Sequence, residues 1–74
     1  NIFPNPSSGI FEITTPDDLK NANIEVTDMQ GRVLVKMAIN NSENQIDLSS
    51  YSQGVYLLIL HTETDVQTYK LIKQ

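Results

Sequence analysis

His61 is the only histidine in the 74-residue chain, so any imidazole chemistry has to start there. A Ser-His-Asp arrangement needs a hydroxyl and a carboxylate placed around the ring. Six serines are present, and all fall in loops. None sits in a Gly-x-Ser-x-Gly elbow, the pattern that lifts a nucleophile clear of a sheet. His61 therefore reads as a half-exposed residue near a strand end, and catalysis is not expected. The acids are Glu12, Asp17, Asp18, Glu25, Asp28, Glu43, Asp47, Glu63 and Asp65. Glycoside hydrolysis wants two carboxyls facing each other across a cleft, and a chain this short has little room for one. Asp17 and Asp18 are the best-placed pair for a weak cation site. A hard cation collects several oxygens at once, and adjacent acids in a loop are ordinarily solvated instead. No Asp-x-Asp-x-Asp-Gly loop occurs.

Asp28 and Asp47 have a clearer task. Each stands where a strand meets a turn, and a carboxylate there accepts backbone N–H groups that the ladder no longer satisfies. Gly9, Gly31 and Gly54 are the only glycines, and all punctuate turns. None belongs to a glycine-rich run opening a helix, which a phosphate loop requires. Cysteine is absent, which excludes disulfides and thiolate metal sites.

The formal net charge is −4. Nucleic-acid binding draws on a basic footprint that displaces counterions, so nucleic acid is not an expected partner, nor is an anionic membrane surface. The longest apolar run, Val55 to Leu60, is far short of the roughly 20 residues that span a bilayer as a helix. Hydrophobic residues make up 39% of the chain, too many for a disordered tail. A domain this small buries only about 60% of its unfolded surface, so modest stability is expected.

The elements that carry these residues read as strands. Pro4-Asn5-Pro6-Ser7-Ser8-Gly9 is a stiff turn, because proline fixes φ and Asn and Ser bond back to the local backbone. Strands are predicted over Ile10–Thr14, Asn23–Met29, Arg32–Ile39, Gln45–Leu48, Val55–Thr62 and Val66–Lys73. Period-two alternation places Phe11 with Ile13, Ile24 with Val26, and Val33 with Val35, Met37 and Ile39. Asp28-Met29-Gln30-Gly31 is a hairpin turn, with Asp at its first position and Gly available for positive φ. Residues 40–44 read as a loop, as does the stretch around Asp17 and Asp18. Nothing sustains a helical period. Short strands between turn signals predict an all-β fold, a small antiparallel Ig-like β-sandwich of about seven strands. Phe11, Val26, Val35, Tyr56 and Leu58 are its expected core. Lys70 and Lys73 are expected near or on the surface, where lysine on an edge strand resists edge-to-edge pairing.

Five segments occur in a telling order: Phe3-Pro4-Asn5-Pro6-Ser7-Ser8-Gly9-Ile10-Phe11, Asp28-Met29-Gln30-Gly31-Arg32-Val33, Ile46-Asp47-Leu48-Ser49, Gly54-Val55-Tyr56-Leu57-Leu58, and Thr68-Tyr69-Lys70-Leu71-Ile72-Lys73-Gln74. Together they resemble the type A C-terminal sorting domain of the type IX secretion system of Bacteroidetes, the Por secretion system. The resemblance implies a non-catalytic sorting signal without cofactor or metal. Its partners would be a covalently linked upstream cargo and the type IX machinery, including shuttle and surface peptidase components. The cargo would pass through the periplasm, cross the outer membrane, and end extracellular or at the cell surface. Residues 1–74 would be one domain of a longer secreted parent. The sorting-motif positions carried over are Pro4, Asn5, Pro6, Gly9, Asp28, Gly31, Gly54, Val55, Tyr56, Lys70, Leu71, Ile72, Lys73 and Gln74. Related domains often carry a polar or basic residue in the place of Ile59, which turns Tyr56, Leu58 and Leu60 toward the core. Val55, Leu57 and Ile59 then lie outward, under a neighbouring loop or as a contact patch.

A second reading is an accessory β-sandwich that binds carbohydrate or mediates adhesion. Against it, aromatic residues are only 7% of the chain, tryptophan is absent, and Tyr51, Tyr56 and Tyr69 are scattered.

Overall fold

A computed structural model describes residues 2–3, 8–16, 19 and 21–74. The strands are β1 (Ile2–Phe3), β2 (Ile10–Thr14), β3 (Asn23–Thr27), β4 (Val33–Ala38), β5 (Glu43–Asp47), β6 (Gly54–His61) and β7 (Val66–Lys73). Six of these have five residues or more, and β1 is a two-residue addition to the edge of β2. No helix occurs among the described residues. The strands form two sheets, β1-β2-β5 and β4-β3-β6-β7, and every pairing is antiparallel. The chain switches sheets between β2 and β3, between β4 and β5, and again between β5 and β6. That is the Greek-key wiring of an Ig-like sandwich, with β4 added at the edge of the second sheet. The predicted all-β sandwich is therefore the fold observed.

The core forms where the inward sides of the two sheets meet. Phe11, Ile13 and Ile46 come from the first sheet, with Leu48 just beyond β5. Ile24, Val26, Tyr56, Leu58 and Leu71 come from the second. Each alternates with an outward neighbour, as the pleat dictates. Tyr56 and Leu58 are buried and Leu60 packs against the core, so β6 shows the face expected of it. Its other face is less covered. Leu57 and Ile59 are half-buried and Val55 is exposed.

β2 and β7 have the predicted limits, β6 lies one residue earlier at each end, and β3, β4 and β5 differ as follows. β3 stops at Thr27, because the Asp28 carboxylate turns the chain there. β5 starts at Glu43, inside the stretch read as a loop. The polar pair Glu43 and Asn44 hides the alternation, but pairing of Thr14 with Glu43 and Ile13 with Asn44 holds it in the sheet. In β4, Val26 faces Val35 while Thr27 faces Val33, leaving Leu34 as the extra residue of a bulge. A bulge shifts the alternation by one residue. Leu34 therefore packs on the core and Val33 is 49% exposed, opposite to the even alternation expected. Val35 is only half-buried, because β4 is an edge strand with one neighbour.

Candidate functional site

The positions singled out by the resemblance, where the structure describes them, gather mostly at one pole of the sandwich. The pole is built from the β3–β4 hairpin, the β5–β6 connection, the entry to β2 at Gly9, and the end of β7. Pro4, Asn5 and Pro6 lie outside the described residues, as do Asp17 and Asp18 of the suggested cation site.

The hairpin is organised by one carboxylate. Asp28 Oδ1 accepts the N–H of Gln30 at 2.9 Å and of Arg32 at 3.0 Å, and Oδ2 accepts Arg32 Nε at 3.1 Å. The Asp28 N–H donates to the Arg32 carbonyl, and the Gly31 N–H donates to the Asp28 carbonyl. The Arg32 N–H holds the Asp28 carboxyl below its ordinary range against the opposing cost of desolvation, and the Gln30 N–H and the guanidinium add to the effect. Gly31 has φ +89°, a conformation that an L side chain strains to reach. This turn is the device predicted for Asp28 and Gly31.

The β5–β6 connection repeats the device. Asp47 Oδ1 accepts the Ser49 hydroxyl at 2.5 Å and the Ser49 N–H at 2.9 Å. Those two bonds, the hydroxyl first, lower the Asp47 carboxyl, and the charge of Lys73 adds to them. The Leu48 N–H donates to the Gly9 carbonyl at 2.7 Å. A Cβ on Gly9 would come within 3.1 Å of the Ser49 Cα, so the motif glycine there reflects close backbone approach.

Tyr56 stands near the start of β6 and its hydroxyl donates to the Ser52 carbonyl at 2.5 Å. This is the tyrosine corner of Ig-like sandwiches, a hydroxyl bonded back to the connection that delivers its own strand. Gly54 and Val55 lead into it. Tyr51 packs beside Tyr56 with ring centroids 6.5 Å apart and planes tilted by 59°, and its hydroxyl donates to the Leu34 carbonyl at 3.4 Å. The tilted, half-sunken pair is a wall rather than the coplanar platform that a sugar ring stacks on. Asp28, Arg32, Leu34, Tyr51, Ser52 and Tyr56 line an open cleft of about 440 Å³.

The terminal segment divides by face. Leu71 is fully buried opposite Tyr56 and belongs to the core. Lys70 is exposed and Ile72 is 38% exposed, both on the outward face. Lys73 lies opposite Gly54, and its ammonium donates to the carbonyls of Tyr51 and of Ser49, the latter at 3.3 Å. Lys73 is half-buried, near the surface as expected, and its bonds to these carbonyls are not visible in the sequence. Gln74 is exposed at the end of the strand.

His61 lies at the far end of β6, where Nε2 is 2.8 Å from Glu25 Oε1. Lys36 approaches the other oxygen of Glu25 at 4.0 Å. Lys36, Glu25 and His61 share the outward face of the second sheet, and among the described residues the only side-chain partner of His61 is Glu25.

A family model described as a secretion system C-terminal sorting domain matches residues 1–74. The chain belongs to this family. A C-terminal sorting domain of this type is a signal carried by cargo of type IX secretion, and it implies export to the cell surface or extracellular space. The chain is also 35% identical over 60 residues to a funoran endo-beta-hydrolase of Wenyingzhuangia aestuarii. The match covers 80% of the sorting domain and 8% of that protein. In the sorting domain, the positions singled out from the sequence divide in two. Gly9, Asp28, Gly31, Tyr56 and Leu71 build the pole and the core, while Lys70, Ile72 and Gln74 face outward. The Lys73 clasp and the Tyr51 wall escape sequence reading, because both depend on which loops the sandwich brings together.

Proposed function

We propose that residues 1–74 form a single sorting domain at the end of a longer secreted parent, and that the motif pole with the outward side of β7 is the surface the type IX machinery reads. The domain is a label rather than a catalyst. Its cargo passes through the periplasm, is carried over the outer membrane by the machinery's shuttle components, and is handled at the surface by a peptidase that removes the label. The observation that carries this reading is the family match over the whole chain, together with the convergence of motif residues at one pole. Asp28, Asp47 and the Tyr56 corner hold that pole in one shape before any partner arrives, which lowers the ordering cost of recognition.

The test is a fusion of the chain behind a signal peptide and a fluorescent passenger, expressed in a type IX-competent bacterium. The passenger is expected at the cell surface or in the medium. Retention of the intact fusion in the periplasm, while the bacterium exports its own cargo, contradicts the reading.

A further inference from the structure

We propose that the cleft between the β3–β4 hairpin and the β5–β6 connection receives a loop of a partner protein carrying an apolar side chain beside a carboxylate. The inference rests on the sorting reading and names the chemistry by which the pole is recognised.

Consider first what the cleft has already spent. Both tyrosine hydroxyls are satisfied by backbone carbonyls, Tyr51 by Leu34 and Tyr56 by Ser52. Both Asp28 oxygens are used within the hairpin. The Lys73 ammonium is taken up by the neighbouring loop. What remains on offer is apolar surface and one cation. The surface is the half-buried Tyr51 ring, backed by the buried Tyr56 and flanked by Leu34.

The cation is Arg32, the only arginine in the chain. Its side chain is 75% exposed and its Nε is anchored on Asp28. Its terminal nitrogens have no acceptor among the described residues. A guanidinium tethered at Nε presents its remaining donors as a fixed fork, the geometry that takes a carboxylate through two parallel bonds. Met29, at the tip of the same hairpin, is 64% exposed, more than any other large hydrophobic residue described. A flexible thioether of this kind suits an adaptable contact surface. A tyrosine and an arginine beside one cleft, Tyr51 and Arg32, are also residue types that dominate interface energetics. The remaining guanidinium donors of Arg32 therefore select a carboxylate on the partner loop, and the fixed Tyr51 ring selects an apolar side chain next to the acid.

Two arms test this. In the first, the isotope-labelled chain is titrated with acetyl-Glu-Leu-Glu-amide and, separately, with acetyl-Lys-Leu-Lys-amide. The acidic peptide is expected to shift the amide signals of Gln30, Arg32 and Tyr51, and the basic one to leave them in place. Arg32→Gln, which keeps a planar donor for Asp28 but no charge, is expected to abolish the response. Equal shifts with both peptides, or none with either, overturn the proposal. So do shifts that follow chain concentration alone, which would put a second copy in the cleft. In the second arm, Arg32→Gln and Met29→Ser are placed in the secreted fusion. Met29 is exposed, and Arg32→Gln gives up only an exposed ion pair while its backbone N–H still bonds Asp28. Both variants are therefore expected to remain folded with melting close to the parent, and export is expected to fall about tenfold or more. Parental export by the folded variants overturns the cleft and leaves the sorting reading intact. Failure of the unmodified fusion to be exported falls on the sorting reading instead.

Discussion

The ammonium of Lys73 reaches across the pole to the backbone carbonyl of Tyr51, and so clasps the end of β7 to the connection that delivers β6. A second acceptor, the Ser49 carbonyl, lies 3.3 Å away. The last strand is therefore fastened from two sides. Leu71 is sunk in the core, and Lys73 holds the loop that carries the ring wall of the cleft. The strand predicted at the end of the sequence is thus part of the frame.

The two lysines of that strand are accordingly expected to behave differently. Lys73→Glu sets a carboxylate against two carbonyl oxygens, and the lost charge-assisted bonds should cost about 1 kcal/mol in this half-exposed setting. Lys70→Glu changes an exposed residue on the outward face and should alter stability by less than ~0.5 kcal/mol. If the machinery reads the outward side of β7, Lys70→Glu nevertheless lowers export, because it reverses a charge that steers an acidic receptor surface. Thermal melts of the purified variants separate the two. Equal melting losses would show that the clasp contributes nothing.

Leu58 is 1% exposed between the sheets. Leu58→Ala should cost ~2–5 kcal/mol, a large share of the stability of so small a domain. The variant is expected to be substantially unfolded near 37 °C by circular dichroism. A melting curve that overlays the parent would mean that this face of β6 is not the core face.

Much of this frame is legible in the sequence, and what is not has specific physical causes. Period-two alternation locates β2 and β7 to the residue, because Phe11 and Ile13 alternate cleanly with exposed neighbours and Val66–Lys73 is bounded by a hairpin. The Asp28 and Asp47 turns follow from short side chains that can reach their own downstream N–H groups. The N-terminal half of β5 is hidden, because Glu43 and Asn44 are held by pairing with β2 and not by burial. The Leu34 bulge is hidden too, since nothing local marks where a strand gains one residue. At the candidate site, the individual motif residues are visible in the sequence but their convergence is not. Gly9 meets Ser49 and Lys73 meets Tyr51 only after the chain has switched sheets.

Gly31 tests the hairpin by itself. Open space surrounds the position its Cβ would take, so the cost of Gly31→Ala is that of the backbone at φ +89°. About 1–2 kcal/mol is expected, read as a fall in melting temperature of several degrees, roughly 4–8 °C per kcal/mol for a domain of this size. Gly31→Asn should lose less, because asparagine tolerates positive φ better. An alanine variant as stable as the parent would contradict the turn geometry.

Acid should loosen the pole first. The Asp28 and Asp47 carboxyls are lowered in the folded state. The unfolded chain therefore binds more protons in acid than the folded one does. Their stabilising contribution is complete above the ordinary carboxylate range near pH 4 and is lost as pH falls through the lower folded values. Replacing both with Asn should flatten the fall in melting temperature below about pH 4, at the expense of stability at neutral pH. Parallel pH profiles for parent and variant would remove these two carboxylates from the acid response.

The most direct measurement of the central claim compares one fusion in two strains. The passenger with this chain at its C-terminus is expressed in a type IX-competent bacterium and in an isogenic strain with the pathway inactivated, and intact passenger is quantified at the surface, in the medium and in the periplasm. The account predicts surface and medium signal in the competent strain, periplasmic accumulation in the other, and no export of the passenger without the chain. Equal distribution of the fusion in the two strains would contradict it.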